Sequence, residues 1–448
     1  MPHEDSIAEP ATARLDSEAT EVGSVFVSNY PPYSFWSDEG LSEVEAMLQT
    51  AEPTENPLGL YLHIPFCRKR CKFCYFRVYT DRNSSEIETY VDTLAREVEL
   101  YSALPRFAGR ELNFVYFGGG TPSYISVKHL KALVERIQAA MPWDAAEEVA
   151  FECEPGTLSE SKVEAIREIG VTRLSLGLEN LNDEILRENG RAHVSREIYA
   201  VMPWVKAQDF EQVNVDLISG MVGETWETWK ETVQRTIDLD PDSVTIYQME
   251  LPFNTVYSKA ILDGSADPVP VADWETKRAW HDYAMDQFGE ADYETSSAYT
   301  LVKKGRLNRF VYRDALWRSA DLIGTGVASF SHVNGFHFQN QTHWDPYLEA
   351  VGEGRLPLNR AFVTTEEERL VREMILQLKL GHIETDYFLT KFGVHILDRF
   401  GEAYQKLQDD GMLKFDDRGV TLSRKGLLQV DQLLPIFYHE RYRNSRYT

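Results

Sequence analysis

The chain has 448 residues, more than one hydrophobic core usually holds, which predicts one large domain with smaller additions. Hydrophobic residues make up 43% of the sequence and aromatic residues 12%, values that are typical of a globular protein and exclude a fibrous or disordered one. The formal net charge of -25 argues against a surface for nucleic acid or anionic membrane, because such surfaces need clustered Lys and Arg. We therefore expect a small-molecule partner and no nucleic acid.

Targeting signals and cysteine usage indicate the compartment. The N-terminal stretch MPHEDSIAEPATARLDSEATEVGS lacks the basic start and the apolar core of a secretory signal. We find no apolar run of about 18 residues or more and therefore expect no membrane span. Of the four cysteines, three lie close together, which suits a metal or cluster site better than disulfides. These features predict a cytoplasmic protein.

The N-terminal region differs in composition from the rest of the chain. Residues 1–53 are polar and acidic, with a turn signal at Pro31 and Pro32, and predict an acidic, flexible extension that ends in an extended arm. The first strong strand is GLYLHIPF, in which Leu60, Leu62 and Ile64 alternate with other residues. The large domain is therefore predicted over residues 54–355.

Within this domain, strands and helices alternate. Further apolar, β-rich runs predict strands at 112–117, 148–153, 173–178, 212–218 and 243–249. Amphipathic stretches between them predict helices at 85–104, 127–141, 159–170, 195–208 and 225–239. Six strands that alternate with helices imply an α/β fold with a parallel sheet, either an open doubly wound sheet or a barrel.

The C-terminal region, residues 356–448, forms a separate pattern. Two helical stretches are followed by MLKFDDRGVTLS, which predicts a short hairpin, and this order is typical of a winged-helix-like domain. Such domains often bind DNA, but this one has mixed charge and no basic stripe. We interpret it as a structural or substrate-covering appendage.

The predicted strands end in polar residues that could carry chemistry. In parallel barrels the working face lies at the carboxyl ends of the strands. These ends carry the cysteines, the GGGTP segment, several acids and a glutamine: Glu152, Glu154, Glu179, Asp216, Gln248 and Glu250. The working face is therefore expected at this edge of the sheet.

Cys67, Cys71 and Cys74 are separated by three and then two residues in the loop after the first strand. Three thiolates from one loop leave one iron of a 4Fe-4S cluster without a protein ligand, open to a chelating molecule. A structural zinc site is the alternative, together with chance clustering. Zinc usually takes four ligands, and no fourth cysteine lies nearby, so we favour the cluster.

Several segments resemble the radical SAM (S-adenosylmethionine) superfamily, and within it the oxygen-independent coproporphyrinogen III oxidase-like family with its haem-chaperone and methyltransferase relatives. They are YLHIPFCRKRCKFCYF, VYFGGGTPSYIS, FECEPGTL, RLSLGLENL, NGRAH and VDLISG. The resemblance runs from about residue 56 to the C-terminus. It implies a partial (β/α)6 radical SAM barrel, a 4Fe-4S cluster and SAM, which the cluster cleaves to a 5′-deoxyadenosyl radical. It also implies a reduced electron donor such as flavodoxin or ferredoxin, and a tetrapyrrole as one candidate substrate.

The same resemblance implies residue roles. A first SAM is expected against Tyr61, Gly119, Glu152 and Phe330. A second SAM is expected against Phe73, Gly120, Thr121, Glu179, Arg191, Asp216 and Met249. The residue types agree with this, since glycines expose backbone N–H groups, carboxylates accept from ammonium or hydroxyl groups, and Arg can fork onto a carboxylate. A tight turn, a helix cap and a surface ion pair are the structural alternatives.

Three departures from the family pattern bear on function. Phe76 stands where the oxidase has a further cysteine, Glu179 stands where the group usually has Gln, and the segment GMVGET lacks a proline. The leading hypothesis is therefore a radical SAM enzyme that modifies a small organic substrate, with methyl transfer from a second SAM as one form of the reaction. The alternatives are an oxygen-independent coproporphyrinogen III oxidase of porphyrin biosynthesis and a haem chaperone.

Overall fold

A computed structural model describes residues 18–264, 271–306, 309–443 and 445. Its centre is a run of six parallel strands that neighbour one another in chain order. They are β1 (Leu58–Ile64), β2 (Phe114–Gly119), β3 (Glu148–Cys153), β4 (Arg173–Glu179), β5 (Gln212–Ser219) and β6 (Ser243–Gln248). The predicted α/β class and the partial (β/α)6 barrel are confirmed.

Helices alternate with these strands. They are α1 (Leu41–Leu48), α2 (Ser84–Ser102), α3 (Val127–Ala140), α4 (Glu160–Glu168), α5 (Asp183–Glu188), α6 (Ser195–Ala207), α7 (Trp226–Leu239), α8 (Val256–Leu262) and α9 (Trp274–Glu290). Local sequence signals stabilise the first turns of these helices. At the start of α2, the Asn83 side chain accepts from the backbone N–H groups of Ser85 and Glu86, and the Glu86 side chain accepts from the Asn83 N–H. Such a capping box satisfies backbone donors that the helix leaves free.

Shorter strands extend the sheet on both sides. Beyond β1 lie β9 (Asp321–Thr325), β10 (Phe330–Val333), β11 (Phe336–Asn340) and β12 (Leu358–Val363), and beyond β6 lie β8 (Thr300–Lys303) and β7 (Tyr293–Thr295). All but β9 run antiparallel to their neighbours. Two further helices, α10 (Val311–Leu316) and α11 (Trp344–Gly352), follow β8 and β11. The sheet is open, with β12 and β7 at its edges.

The C-terminal region has the winged-helix-like order of elements. It comprises α12 (Glu366–Leu378), β13 (His382–Glu384), α13 (Thr385–Phe392), α14 (Ile396–Arg399), α15 (Gly401–Asp409), β14 (Leu413–Asp416), β15 (Gly419–Leu422), α16 (Arg424–Leu427) and α17 (Val430–Leu433). Strands β13, β15 and β14 form a separate antiparallel sheet. Its apolar cluster is distinct from that of the barrel and includes Met374, Phe388 and Tyr404.

The N-terminal arm, which we define as residues 18–36, packs into the fold. Val27 and Tyr30 are buried in the C-terminal apolar cluster, and the Val27 N–H donates to Asp431 of α17 over 2.8 Å. The sequence favoured a flexible extension over residues 1–53. Of these residues, 1–17 lie outside the described part, several apolar side chains of the arm and of α1 are buried, and residues 49–53 are exposed. The boundaries at 53 and 355 stay predictions.

In the described residues, no helix has the length and apolar character needed to cross a membrane.

Candidate functional site

A cavity of about 1090 Å³ lies at the carboxyl ends of the parallel strands. Its wall contains every site residue that the sequence predicted: Tyr61, Cys67, Cys71, Phe73, Cys74, Gly119, Gly120, Thr121, Glu152, Glu179, Arg191, Asp216, Met249 and Phe330. These residues come from elements far apart in the chain, and parallel strands bring them together because their carboxyl ends share one edge of the sheet. None of the predicted positions lies elsewhere.

The three cysteines sit on a loop that is closed at its base. The Cys67 N–H donates to the Tyr79 carbonyl over 3.1 Å, and the Tyr79 N–H donates to the Pro65 carbonyl over 2.7 Å. Inside the loop, the Cys74 N–H donates to the Cys71 carbonyl over 3.2 Å. The loop thus presents three free thiols to one cavity.

Two side chains donate toward the sulfur atoms. The Thr121 hydroxyl lies 3.4 Å from Cys67 Sγ, and Arg191 Nη1 lies 3.4 Å from Cys71 Sγ. Burial raises the pKa of Cys67 to about 11 and that of Cys74 to about 12. The thiols of Cys67 and Cys74 are therefore protonated when no metal is bound, and binding of iron must release their protons.

The glycine turn after β2 lies against Glu152. The Gly119 N–H donates to Glu152 Oε2 over 3.3 Å, and the Tyr116 hydroxyl donates to Glu152 Oε1 over 2.6 Å. Gly119 has φ of 111°, and a Cβ there would lie 2.6 Å from the His63 ring, so this position requires glycine. Burial raises the pKa of Glu152 to about 7, and its hydrogen-bond donors among the described residues, Tyr116 and Gly119, are uncharged.

A buried carboxylate anchors the cysteine loop to β3. Glu154 accepts from Arg68 Nη2 and His193 Nδ1, each over 2.9 Å. Burial alone would raise the pKa of Glu154, but the bonds from His193 and Arg68 bring it down to about 2. Because Arg68 follows Cys67 directly, this ion pair holds the start of the loop in place.

Glu179 and Asp216 form an acidic wall with Arg191 between β4 and the cysteine loop. Arg191 Nη1 lies 3.5 Å from Glu179, and Arg191 Nη2 donates to the Gly177 carbonyl over 2.6 Å. Burial raises the pKa of Glu179 to about 7 in spite of Arg191, and burial also raises the pKa of Asp216. Asp216 accepts from the Ser175 hydroxyl over 2.7 Å. Carboxyl groups outnumber the cation here.

Apolar side chains complete the cavity. Phe73 and Met249 belong to one small apolar cluster, and Tyr61 stacks on Tyr116 with ring centroids 5.8 Å apart. Phe330 packs against Tyr33 of the N-terminal arm at 4.3 Å between centroids. The cavity thus combines aromatic surfaces with buried carboxyl groups.

Two protein-family models match parts of this chain. Residues 61–236 match the Radical SAM superfamily model, and residues 364–428 match the HemN C-terminal domain model. The chain therefore contains a radical SAM domain followed by a HemN C-terminal domain. The matched residues include the cysteine loop, the glycine turn and the acidic wall.

Relatives of this radical SAM protein have more than one function. The oxygen-independent coproporphyrinogen III oxidase of Escherichia coli strain K12 is 27% identical over 425 residues, which cover 92% of this chain and 91% of the oxidase. The haem chaperone HemW of Bacillus subtilis strain 168 is 25% identical over 385 residues, which cover 85% of this chain and 99% of the chaperone. The structure of E. coli coproporphyrinogen III oxidase, HemN, matches with a TM-score of 0.80 and 22% identity, covering 92% and 96% of the two chains.

A radical SAM family implies a 4Fe-4S cluster and SAM, and the residues present fit both. Three thiols from one loop, two of them with donors at their sulfur atoms, suit a cluster with one open iron. Each cysteine then binds a different iron, so the thiols need not converge on one point; among the described residues, no His, Cys, Asp and Glu group could hold a single metal ion. Glu152 faces the cavity, and among the described residues no cationic side chain lies within 4.0 Å of its carboxyl group, which suits the positive charge of SAM.

Sequence reasoning missed other residues of this radical SAM protein's cavity. The N-terminal arm contributes Tyr33 and Trp36, and the outer strands and the C-terminal domain contribute Arg360, Arg372 and Asp431. The aromatic segment YPPYSFW was a usable signal for the arm, because several large rings close together in sequence gain much from burial against the fold. The arginines carry no local signal, since their place in the cavity depends on tertiary contacts. Among residues near the predicted site, His193 in NGRAH was likewise missed as the partner of Glu154.

Proposed function

We propose that this protein reductively cleaves SAM and uses the resulting radical to modify a small organic substrate of the tetrapyrrole class. The observation that carries the proposal is the single cavity that joins the three cysteines, the buried carboxyl groups and the aromatic surfaces. Its volume of about 1090 Å³ is at the upper end of the range for single-ligand pockets, which leaves room for more than one molecule.

The cluster is assigned to Cys67, Cys71 and Cys74, and when bound it supplies the electron that cleaves SAM to methionine and a 5′-deoxyadenosyl radical. We assign the first SAM to Tyr61, Gly119, Glu152 and Phe330. Glu152, held by Tyr116 and the glycine turn, offers its carboxylate to the cationic part of SAM. The aromatic rings of Tyr61 and Phe330 exclude water from this part of the cavity.

A second SAM is assigned to Phe73, Gly120, Thr121, Glu179, Arg191, Asp216 and Met249. In this proposal Arg191 receives a carboxylate, and Asp216 accepts from hydroxyl groups. Glu179 is acceptor-only and already faces Arg191, so it competes with an incoming carboxylate for that cation. A binding titration with SAM therefore tests whether one or two molecules bind.

The relatives favour oxidation of a tetrapyrrole over methyl transfer. The E. coli oxidase matches across 92% of this chain, and its name specifies coproporphyrinogen III. Methyl transfer finds no support in the E. coli and B. subtilis relatives, and it stays a prediction. Phe76, at the position where the oxidase has a further cysteine, is exposed and stacks on Tyr75 with centroids 4.5 Å apart.

An acidic one-electron carrier, such as flavodoxin or ferredoxin, is the proposed electron donor. The loop from Arg68 to Arg77 contains five basic residues and no acidic one, in a chain with a net charge of -25. Lys69 and Arg77 are exposed. A local positive surface on an acidic protein selects a negatively charged partner.

Anaerobic turnover tests the radical chemistry. The protein is reconstituted with iron and sulfide, reduced with dithionite and supplied with SAM, alone or with coproporphyrinogen III. We expect 5′-deoxyadenosine and loss of substrate, both abolished by Cys71→Ala. S-adenosylhomocysteine in addition would establish methyl transfer, whereas a cluster-loaded protein that leaves SAM intact would refute the proposed function.

A haem chaperone is the second candidate, because the match to HemW covers 99% of that protein. This candidate predicts stable binding of haem, seen as a Soret band, and its transfer to an apo-acceptor. Binding and transfer of haem by protein that gives no deoxyadenosine would favour the chaperone. Turnover of coproporphyrinogen III without haem transfer would favour the oxidase.

A further inference from the structure

Trp344, the first residue of α11, contacts both ends of the cysteine loop. Its ring centroid lies 6.1 Å from that of Phe66, which directly precedes Cys67, and 5.1 Å from that of Tyr79. Both pairs of rings meet edge to face, at 66° and 76°. A backbone bridge also joins Phe66 to Tyr79. One side chain from a distant element therefore covers the point where the loop leaves the fold and the point where it returns.

A cation lies on two of these rings. The Arg82 guanidinium is 4.5 Å from the centroid of the Trp344 ring and 5.1 Å from that of the Tyr79 ring. Its Nη1 group also donates to Glu86 Oε1 of α2 over 2.6 Å. A guanidinium over an indole or a phenol ring is attracted by the electrons of the ring face. Arg82 thus ties the returning end of the loop to Trp344 and to the first turn of α2.

Trp344 itself rests on a fixed surface. It is 8% exposed and stacks on Tyr90 of α2, with centroids 5.2 Å apart and 21° between the ring planes. The Tyr90 hydroxyl donates to the His63 carbonyl of β1 over 3.0 Å and accepts from the Val327 N–H over 3.0 Å. Trp344 is therefore held against the strand from which the cysteine loop emerges.

The loop needs such support because it has no regular structure of its own. Between Ile64, where β1 ends, and Ser84, where α2 begins, the chain forms no helix or strand, and all of these residues are described. The directions of the thiols then depend on the side chains around the loop. Glu154 holds the start of the loop through Arg68, whereas Trp344 acts on both ends.

We propose that Trp344, together with Arg82, is a positioning residue that holds Cys67, Cys71 and Cys74 in the arrangement that retains the cluster. The inference rests on the cluster that the proposed function assigns to these cysteines. It adds a helix outside the parallel sheet to the parts of the molecule that support the cluster. Groups behind the ligands of a metal commonly change its affinity by about ten- to a hundredfold when they are removed.

Release of iron to a chelator tests the proposal on the reconstituted, unreduced full chain. We expect Trp344→Leu to release iron about tenfold faster than wild type, because leucine lacks the ring that contacts both loop ends and Arg82. Trp344→Phe keeps an aromatic ring and should stay within about threefold of the wild-type rate. The EPR signal of the dithionite-reduced cluster, recorded without SAM, should broaden in Trp344→Leu, since it reports the directions of the thiolates.

Arg82→Gln tests the cation separately and leaves every ring in place. It should release iron about threefold faster than wild type, because the attraction between the guanidinium and the two rings is lost. This variant keeps the proposal testable if Trp344→Leu does not fold.

Trp280→Leu is the matched control. Trp280 of α9 is 3% exposed and contacts Trp226 of α7, so the same exchange removes a buried indole away from the cysteine loop. It should lower the Tm, as loss of a large buried side chain does, and leave iron release and the EPR signal at their wild-type values.

The proposal is overturned if Trp344→Leu, or Arg82→Gln where Trp344→Leu does not fold, releases iron at the wild-type rate. It is also overturned if Trp280→Leu releases iron as fast as Trp344→Leu, because the effect would then be one of general stability. These outcomes leave the proposed function intact. A wild-type protein that takes up no cluster would instead refute the proposed function and this inference together.

Discussion

At the scale of single residues, two carboxylates attach the cysteine loop to the barrel in different ways. Glu154 binds Arg68 with 9% of its side chain exposed, whereas Glu188 binds Lys72 with 55% exposed. Both ion pairs span 2.9 Å. The two pairs differ in the burial of the carboxylate and not in distance, so solvent screens the Arg68–Glu154 pair less than the Lys72–Glu188 pair.

This difference gives a matched pair of variants. Glu154→Gln should destabilise the protein by about 2 kcal/mol, since it removes the negative charge beside Arg68 and His193 and replaces the oxygen that accepts from Arg68 Nε by an NH2 group, which cannot accept. Glu188→Gln should cost less than about 0.5 kcal/mol. Thermal unfolding measures the stability of each variant. The iron content after reconstitution measures whether the cysteine loop still binds iron. Equal iron retention by both variants would show that Glu154 does not position the cysteines.

Some residues of the site were predictable from the sequence and others were not. Cys67, Cys71 and Cys74 are close in sequence, so their spacing alone predicts a shared ligand. Glu152 was predictable because it nearly ends the recognisable strand β3, whereas Asp216 was predicted at a strand end and lies within β5, three residues before its end. Arg360 and Arg372 were not, because an arginine has the same local appearance in an ion pair, on the surface or in a cavity.

At the scale of elements, one buried carboxyl group joins helix α2 to the far side of the sheet. Glu97 accepts from the Tyr347 hydroxyl of α11 over 2.7 Å, from the Gly326 N–H over 2.8 Å and from Asn340 of β11 over 2.6 Å. Burial raises the pKa of Glu97 from 4.5 to about 7. The junction of these elements is therefore sensitive to pH.

The sign of this sensitivity follows from linkage. Between pH 4.5 and about 7 native Glu97 holds a proton that the unfolded chain has released, so its contribution is complete below pH 4.5 and is lost as the pH rises through about 7. Glu97→Gln removes this dependence. From about pH 4.5 to about pH 8, wild type should lose about 3 kcal/mol of unfolding free energy relative to the variant. Calorimetric Tm values of both proteins across this pH range check the prediction. If the difference in Tm between wild type and Glu97→Gln does not change with pH, the prediction is contradicted.

Elements with strong local patterns were predictable, and elements defined by their partners were not. Strand β3 spans Glu148–Cys153, as predicted, and helix α3 ends at Ala140, one residue earlier than predicted. By contrast β7 spans only Tyr293–Thr295, too short for an alternating pattern, and it exists because β8 supplies the hydrogen bonds. The arm was predicted as extended, but its packing depends on a pocket built by the C-terminal domain.

At the scale of the whole molecule, the cysteine loop is positively charged whereas the chain as a whole is negatively charged. A net charge of -25 repels acidic proteins in general, while the charged side chains of the segment from Arg68 to Arg77 are all positive. Ion pairs neutralise part of this segment, as Arg68 with the buried carboxylate of Glu154 shows. We propose the exposed Lys69 and Arg77 as the contact for an acidic electron carrier.

Reversal of these two charges should therefore slow electron delivery and spare the cluster. With Lys69→Glu and Arg77→Glu combined, we expect reduction by flavodoxin to slow by about tenfold or more at low salt, because electrostatic steering is lost. Reduction by dithionite, a small molecule that needs no docking surface, should stay unchanged. Bleaching of the cluster absorbance without SAM or substrate measures both rates.

Lys128→Glu is the control for net charge, because its side chain is 81% exposed on α3, outside the cysteine loop. This variant should match wild type with either reductant. Raising the ionic strength should shrink the difference between wild type and the double variant, since salt screens interactions between exposed charges beyond about 10 Å at 0.1 M. If the double variant accepts electrons from flavodoxin at the wild-type rate, the carrier docks elsewhere and the positive loop serves the substrate alone.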